Sequence, residues 1–397
     1  MSAVSSLRKW YLLHKWSSLV CTIFLLIICV TGMPLVFLDE INDSWRGDPP
    51  YAEMPADAPL ANLDAMVQAA TGAGGVFPGE TVRWLSIEDD VPEVWLGLAP
   101  SYDAERKLDH KVRFDARTGK LIKAMKSGEQ SGPLWLGLMF KLHTDLFAGL
   151  FGELFLATMG LLFVIATVSG VVLYGPFMKK LDFGSLRTGR AARLKWLDLH
   201  NLLGIVTLAW VLVMGVTGII NQLSKPLYDA WRVTQLDSVL HRYQNQAMPA
   251  RLSSVQAAFD TVSKALPTQT IRSIRFPDAE LGSSHHYLVW TKGDTPQTSR
   301  LYLPALVDAS SGQLTAIVRL PWYLVALHTS RPLHFGDYGS LPLKILWVLF
   351  DMITIMILVS GLVLWFSRRK ATASRLAEIE KRHAEALSAA ASPQATG

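Results

Sequence analysis

The sequence predicts a membrane α-helical bundle of four transmembrane helices with an internal two-fold repeat, carrying two outer α+β domains. Three observations lead there. Half of the 397 residues are apolar and the mean hydropathy is +0.26, enough for several membrane spans. Four apolar runs, 19–38, 154–177, 202–223 and 341–366, each supply the roughly 20 residues needed to cross a ~30 Å hydrocarbon core. The third observation is duplication. Residues 10–45 align without a gap on residues 196–231, so that Trp10, His14, Val30, Thr31, Gly32, Asp43 and Trp45 fall on Trp196, His200, Val216, Thr217, Gly218, Asp229 and Trp231. Val168-Ser169-Gly170 and Val359-Ser360-Gly361 then end the other two apolar runs.

The first run follows Arg8, Lys9 and Lys15, as a signal peptide would. It is long, however, and leads into Met33-Pro34-Leu35-Val36 with no small-x-small cleavage site, so it reads as a retained helix. Basic residues crowd three flanks: Arg8, Lys9 and Lys15; Lys179, Lys180, Arg187, Arg190, Arg193 and Lys195; and Arg368, Arg369, Lys370 and Arg375. The positive-inside rule puts all three, and both termini, on the cytoplasmic side. The chain then divides into a cytoplasmic N-terminus and first span (1–38), a first outer domain (39–133), an interfacial helix and second span (134–178), a cytoplasmic loop (179–195), a third span (196–223), a second outer domain (224–320), an interfacial segment and fourth span (321–367), and a cytoplasmic tail (368–397). The flanks account for the pI of about 9.1, which therefore does not point to nucleic acid. The two cysteines, Cys21 and Cys29, both lie in the first span, too far apart to bridge; this argues against a disulfide scaffold or a cysteine-ligated cluster.

Each outer loop opens with a helical stretch (60–71 and 252–265), continues in segments rich in Val, Ile, Trp and Tyr, and closes on a turn. In Phe114-Asp115-Ala116-Arg117-Thr118-Gly119 and in Val307-Asp308-Ala309-Ser310-Ser311-Gly312, the aspartate caps the turn and glycine accepts positive φ.

A helix plus strands ending in Asp-Ala-x-Thr/Ser-Gly resembles a PepSY domain. Two such units alternating with four histidine-bearing helices resemble the PepSY-associated transmembrane proteins over about residues 8–370. The best understood members of that family are similar to bacterial inner-membrane ferric-siderophore reductases that bind two b-type haems; other members have no settled function. The resemblance implies periplasmic PepSY-like domains, two b-type haems and a ferric siderophore or other periplasmic electron acceptor. No Rossmann, Walker A or nucleophile-elbow motif is present, so a membrane quinol or a cytoplasmic reductase is the implied electron donor.

An electron-transfer haem needs two strong axial ligands, and imidazole supplies both. Five of the ten histidines lie at or near helix ends: His14, His143, His200, His328 and His334. His14 and His200 occupy equivalent repeat positions and are expected to share the inner haem. For the outer haem, the Leu-His-Thr match sets His143 on His328, whereas ungapped alignment of the following helices sets it on His334. Aligning 146–152 with 333–339 leaves His334 extra, while a Leu-His-x-Gly-x-x-Gly pattern resembling the family's favours His334. His143 with His334 is the expected pair and His143 with His328 the alternative. His285-His286 reads as a surface pair in a strand, and His110, His241 and His383 carry no signal.

Gly32, Gly170, Gly218 and Gly361 each follow Ser or Thr; they fit close helix packing and also leave room for a flat porphyrin. Asp351, inside the fourth span, is either a proton-coupled or quinone-site residue or a carboxyl hydrogen-bonded within the bundle. Arg8, Lys15, Arg193 and Lys195 suit haem propionates or simple anchoring, and Trp135, Trp322 and Tyr323 suit an interfacial belt. Two other functions compete: an envelope regulatory or binding module anchored by the helices, and a transporter for haem, metal or siderophore with the histidines as a relay.

Overall fold

The structure is a computed structural model. It describes residues 3–47, 51–55, 58–102, 104–105, 109–129, 132–178, 184–187, 191–243, 248–278, 283–295 and 298–391, without the side chains of 3–5, 46, 176–178, 242 and 370–391. Lys179, Lys180 and Arg190 lie outside the described residues, as do the side chains of Lys370, Arg375 and His383.

The chain begins with helices α1 (Ala3–Leu35), α2 (Leu38–Arg46) and α3 (Leu63–Thr71), then strands β1 (Thr81–Ile87), β2 (Glu93–Ala99), β3 (His110–Asp115) and β4 (Leu121–Met125). Helices α4 (Leu134–Thr144), α5 (Gly149–Met178), α6 (Ala192–Val206), α7 (Leu208–Gln222), α8 (Ser224–Trp231), α9 (Asp237–Leu240) and α10 (Val255–Ala265) follow. Strands β5 (Gln269–Arg275), β6 (His286–Gly293), β7 (Tyr302–Asp308) and β8 (Leu314–Ile317) precede α11 (Trp322–Phe335) and α12 (Ser340–Ala391). These elements form two compact units.

The helical unit comprises Met1–Val36, Met139–Ile219 and His334–Gly397. Among the described residues three stretches, Ser6–Leu35, Gly149–Gly175 and Asp337–Arg369, are long and apolar enough to cross a membrane. Helix is the form that satisfies every backbone group internally in lipid. The predicted third span is broken: α6 and α7 meet at Thr207 with a bend of 69°, and make a fourth crossing if counted as one span. The Thr207 hydroxyl donates to Leu203 O at 2.8 Å, back-bonding of the kind that bends helices. Helix α1 packs on α5 and α12, and α12 on α6. Cys21, Leu25, Met159 and Leu358 form the apolar contact, with Phe24 edge-on to Phe155 at 4.8 Å.

The second unit comprises Phe37–Leu138 and Ile220–Leu333. Sequence patterning predicts two separate α+β domains; the structure joins them in one antiparallel sheet, eight strands among the described residues, ordered β4-β3-β2-β1-β5-β6-β7-β8. The reason is edge pairing. Alone, each half would expose its first strand, and an open edge seeks a partner. Here Trp84 pairs with Arg275, Leu85 with Ile274 and Ser86 with Ser273.

One sheet face is a continuous apolar core, with Leu85, Leu96, Phe114, Ile274, Val289 and Val307 fully buried beneath α3 and α10. These helices begin three residues later than the sequence suggests because Asn62 and Ser254 are N-caps, accepting from Ala65 N and Ala257 N at 2.9 Å each. The two helices also cap each other. Asp64 Oδ1 accepts Val255 N at 2.9 Å, and Gln256 Oε1 accepts Leu63 N at 2.9 Å. The two predicted turns form as described: Asp115 Oδ1 accepts from Arg117 N and Thr118 N, Asp308 Oδ1 from Ser310 N and Ser311 N, and Gly119 and Gly312 have φ of 67° and 74°.

The opposite face differs between halves. In the first, Glu93 and Arg113 form a fully buried ion pair, completed by Tyr51 Oη (2.6 Å) and Trp95 Nε1 (2.9 Å) donating to the carboxylate. In the second, Leu306 stands where the turn alignment places Arg113, and packs with Leu288 on Trp231, Leu236 and Leu240. His285 and His286 are buried, not the surface pair predicted, because β6 lies inside the sheet between β5 and β7. The His286 nitrogens contact Ser283 Oγ at 2.9 Å and Thr315 Oγ1 at 3.1 Å.

Two expectations follow from these buried groups. Glu93→Ala leaves the Arg113 charge unpaired and should cost about 3–5 kcal/mol of stability, whereas replacing both residues by methionine should cost much less; thermal unfolding of the detergent-solubilised protein measures both. Burial also pushes the His286 pKa down to about 4 from the ordinary 6.5. Between those values the unfolded chain binds a proton that the folded chain refuses, so stability should fall as pH drops from 6.5 towards 4. Unfolding temperatures of His286→Asn should decline less over that window; parallel declines would count against this origin.

Candidate functional site: two facing histidine pairs

His14 on α1, His143 on α4, His200 on α6 and His334 on α11 share one local design. Each lays its ring against the Ser/Thr-Gly step of a neighbouring helix and directs Nδ1 at that helix. His14 Nδ1 lies 2.8 Å from Ala166 O, with Ser169 Oγ at 3.5 Å. His200 Nδ1 lies 2.8 Å from Ser360 Oγ and 3.1 Å from Ile357 O. His143 Nδ1 lies 3.0 Å from Ile28 O and 3.3 Å from Thr31 Oγ1. His334 Nδ1 lies 2.9 Å from Thr217 Oγ1.

The hydroxyls settle the tautomer. Each has spent its hydrogen on its own helix: Thr31 on Ile27 O, Ser169 on Ile165 O and Thr217 on Val213 O, all at 2.7 Å, and Ser360 on Ile357 O at 2.7 Å. Carbonyl and hydroxyl oxygens therefore accept, the Nδ1–H donates, and Nε2 keeps its lone pair. Among the described residues, no Nε2 of these four has a hydrogen-bond partner.

Glycine makes the approach possible. A Cβ on Gly32 would stand 2.8 Å from His143 Cε1, and one on Gly170 3.2 Å from His14 Cε1. At Gly218 and Gly361 the corresponding distances are 3.4 Å to His334 and 3.6 Å to His200.

The histidines meet in pairs. The ring centres of His14 and His200 are 6.3 Å apart with planes at 74°. Those of His143 and His334 are 6.5 Å apart at 56°. An atom held at about 2 Å from each of two imidazole nitrogens sets the ring centres about 6 Å apart, so both gaps fit one metal between two imidazoles. Among the described residues, no three His, Cys, Asp or Glu side chains converge on a metal-sized site. A two-nitrogen donor set suits an iron whose other positions are filled by a porphyrin. On these observations the residues present fit a haem at each pair. Because α1 carries His14 near one end and the Thr31-Gly32 step near the other, these two positions are separated by about 26 Å along its axis.

His328 does not join a pair. It lies in the sheet-bearing unit, buried, with Tyr228 Oη 3.0 Å from Nε2 and the Tyr302 ring 4.6 Å away. Burial pushes its pKa down to about 4. Asp198, two residues before His200, accepts two Arg187 guanidinium bonds at 2.6 and 3.0 Å, which fixes the start of α6. Lys15 rests over the Trp16 ring at 4.5 Å, and Asp351 faces the Cys29 thiol of α1. Trp135 and Trp322 are exposed. Recurrent Ser/Thr-Gly steps signalled the contact surfaces, but not the carbonyls Ala166, Ile28 and Ile357, which leave no trace in sequence.

Comparison with known proteins places these features in a family context. Residues 11–368 match the family described as the PepSY-associated TM region. The chain is also similar to an uncharacterized protein of Pseudomonas aeruginosa, 26% identical over 254 residues. That alignment covers 59% of this chain and 64% of the relative, so the chain spans a little under two thirds of the relative's length. A match across nearly the whole helical and sheet-bearing sequence means that the chain belongs to the PepSY-associated transmembrane family.

Proposed function

We propose that this protein is a bacterial inner-membrane electron-transfer protein that holds two b-type haems and reduces a periplasmic acceptor, with a ferric siderophore as the substrate. The observation that carries this reading is the pair of facing imidazoles with unpartnered Nε2 atoms, repeated at two levels of one helical unit. His14 and His200 would hold one haem, His143 and His334 the other. When bound, haem iron supplies reversible one-electron chemistry.

The chain's own contribution is positioning. The Nδ1–H bonds hold each ring in the tautomer that presents Nε2, and outer hydrogen bonds of this kind raise ligand basicity. The Ser/Thr-Gly steps set ring height above the supporting helix. Arg8, Lys15, Arg193 and Lys195 offer positive charge near the His14–His200 level for propionates. Both termini would be cytoplasmic, with a quinol or a cytoplasmic reductase as donor. Reduction alone releases the metal: Fe(III) suits the hard oxygen donors of siderophores, and Fe(II), one electron richer, is held more weakly. The side chains need supply no nucleophile or general acid.

Absorption spectra of the purified protein with and without dithionite test the proposal. A low-spin b-type spectrum with two haems per chain is expected; protein made with ample haem that shows none would sink the reading. His14→Ala and His143→Ala should each lower the content from two haems to about one. Gly32→Ala, whose methyl would meet the His143 ring, should deplete the His143–His334 haem. Gly175→Ala should not, because nothing lies within 4 Å of that position. Equal haem content in the two glycine variants would refute the cradle.

A further inference from the structure

The two-fold repeat of the helical unit holds at the four paired histidines and fails at a helix crossing. The offset that puts Thr31 on Thr217 puts Cys29 on Gly215, and the offset that puts Ser169 on Ser360 puts Gly160 on Asp351. In one copy the crossing is α5 against α7, closed by glycines. A Cβ on Gly160 would stand 3.0 Å from Ile219 Cγ1 and 3.9 Å from Gly215 O, and one on Gly215 2.8 Å from Val164 Cγ2. In the other copy the crossing is α12 against α1, and there Asp351 faces the Cys29 thiol. A carboxyl stands inside an apolar span where its counterpart is a hydrogen atom.

The level of this carboxyl is defined by its partner. Cys29 directly follows Ile28, whose carbonyl lies 3.0 Å from His143 Nδ1, and is within one turn of the Thr31-Gly32 step under the same ring. From His14 it is 15 residues away, about 22 Å along α1. Asp351 thus stands near the His143–His334 pair and hydrogen-bonds to neither imidazole. Among the described residues no cation pairs with it. The ionic side chains of α1 end at Lys15, and α7, which reaches α12 through Trp210, has no titratable side chain. On α6, Arg193, Lys195, Asp198 and His200 belong to the His14–His200 level, and α5 carries Glu153 and Tyr174 near its two ends. On α12 itself the nearest charge in sequence is Lys344, which pairs with Asp337 at 3.5 Å in the turn that holds Tyr338. Lys141 of α4 is likewise paired, with Asp145 at 2.7 Å.

We infer that Asp351 is the proton partner of the His143–His334 pair: its carboxyl takes a proton from water when an electron reaches that level, and returns it when the electron leaves. The inference rests on the two-haem reading. An isolated carboxylate in an apolar interior is too costly to persist, so Asp351 stays neutral unless positive charge stands near. Ferric iron brings such a charge and favours the ionised carboxyl; ferrous iron withdraws it. Each reduction then adds one electron, from the quinol or cytoplasmic reductase, and one proton, from water. Reduction of the acceptor removes both. Cys29 suits either state, because a thiol donates weakly to a carboxylate and accepts weakly from a carboxylic acid. Asp351 acts through its charge and is no ligand.

Redox titrations and infrared spectra of the purified full-length chain test this. In His14→Ala, which leaves the His143–His334 haem alone, the equilibrium constant for reduction should fall as pH rises. The fall should reach up to about tenfold per pH unit, the slope of one proton per electron. Adding Asp351→Asn should flatten that dependence, and adding Asp351→Glu should keep it. In His143→Ala, which leaves the other haem, Asp351→Asn should change nothing. The reduced-minus-oxidised infrared spectrum of the wild type should gain a carboxylic acid band, lost in Asp351→Asn and displaced in Asp351→Glu. Should the Asn variant take up no haem, the displaced band in the Glu variant decides. A pH-independent His143–His334 haem, a slope that survives Asp351→Asn, or a difference spectrum without an acid band would overturn the inference and leave the two-haem reading standing. A wild-type chain that binds no haem would overturn both.

Discussion

Everything in the helical unit depends on one interaction: an imidazole Nδ1–H given to an oxygen on the surface of an adjacent helix. A helix interior offers few free acceptors, since its carbonyls are committed to the ladder. The Ser/Thr-Gly step creates one. Its hydroxyl, already bonded to its own helix, turns a lone pair outward, and the missing glycine side chain lets an aromatic ring reach both that hydroxyl and the carbonyl three residues earlier. Helix α1 gives such a bond through His14 and receives one from His143. The contacts that pack the helices are thus the contacts that orient the imidazoles, and a small slide of one helix would disturb both.

The sheet-bearing unit shows how a repeated frame tolerates divergence. The strand order reads alike from either edge, and Leu85 faces Ile274 across the middle. On the shared apolar core the two halves remain interchangeable in character. On the other face they are not. Aligned tryptophans differ in environment, Trp231 buried against the sheet and Trp45 exposed. One half invests in a buried ion pair, the other in leucines and an aromatic cluster.

Much of this was legible in sequence, for reasons that also explain the gaps. Hydrophobic length announces membrane helices, since lipid imposes a minimum on any crossing, and a duplicated histidine stands out against a diverged background. Asp115-to-Gly119 and Asp308-to-Gly312 are local turns whose chemistry is written in consecutive residues. The choice between His328 and His334 was not local. The Leu-His-Thr match near His143 draws the eye to His328, yet it is the His334 ring that lies beside His143, seated on Thr217 more than a hundred residues away. The break at Thr207 is silent because apolar residues run through it. The fusion of two domains into one sheet depends on β1 and β5, which nothing nearby in sequence connects.

That fusion has a consequence for how the chain is made. When β1 leaves the ribosome its partner β5 does not yet exist, and α5, α6 and α7 must be synthesised and placed before residues 269–275 arrive. Until then the first half carries an unsatisfied strand edge, and α3 lacks the cap that Gln256 provides. The nascent protein therefore passes through an obligatory half-finished state that lasts at least as long as the intervening helices take to be made. Any delay in making those helices would lengthen the interval in which that edge is open to other strands, so the sheet's completion is tied to the helices that interrupt it.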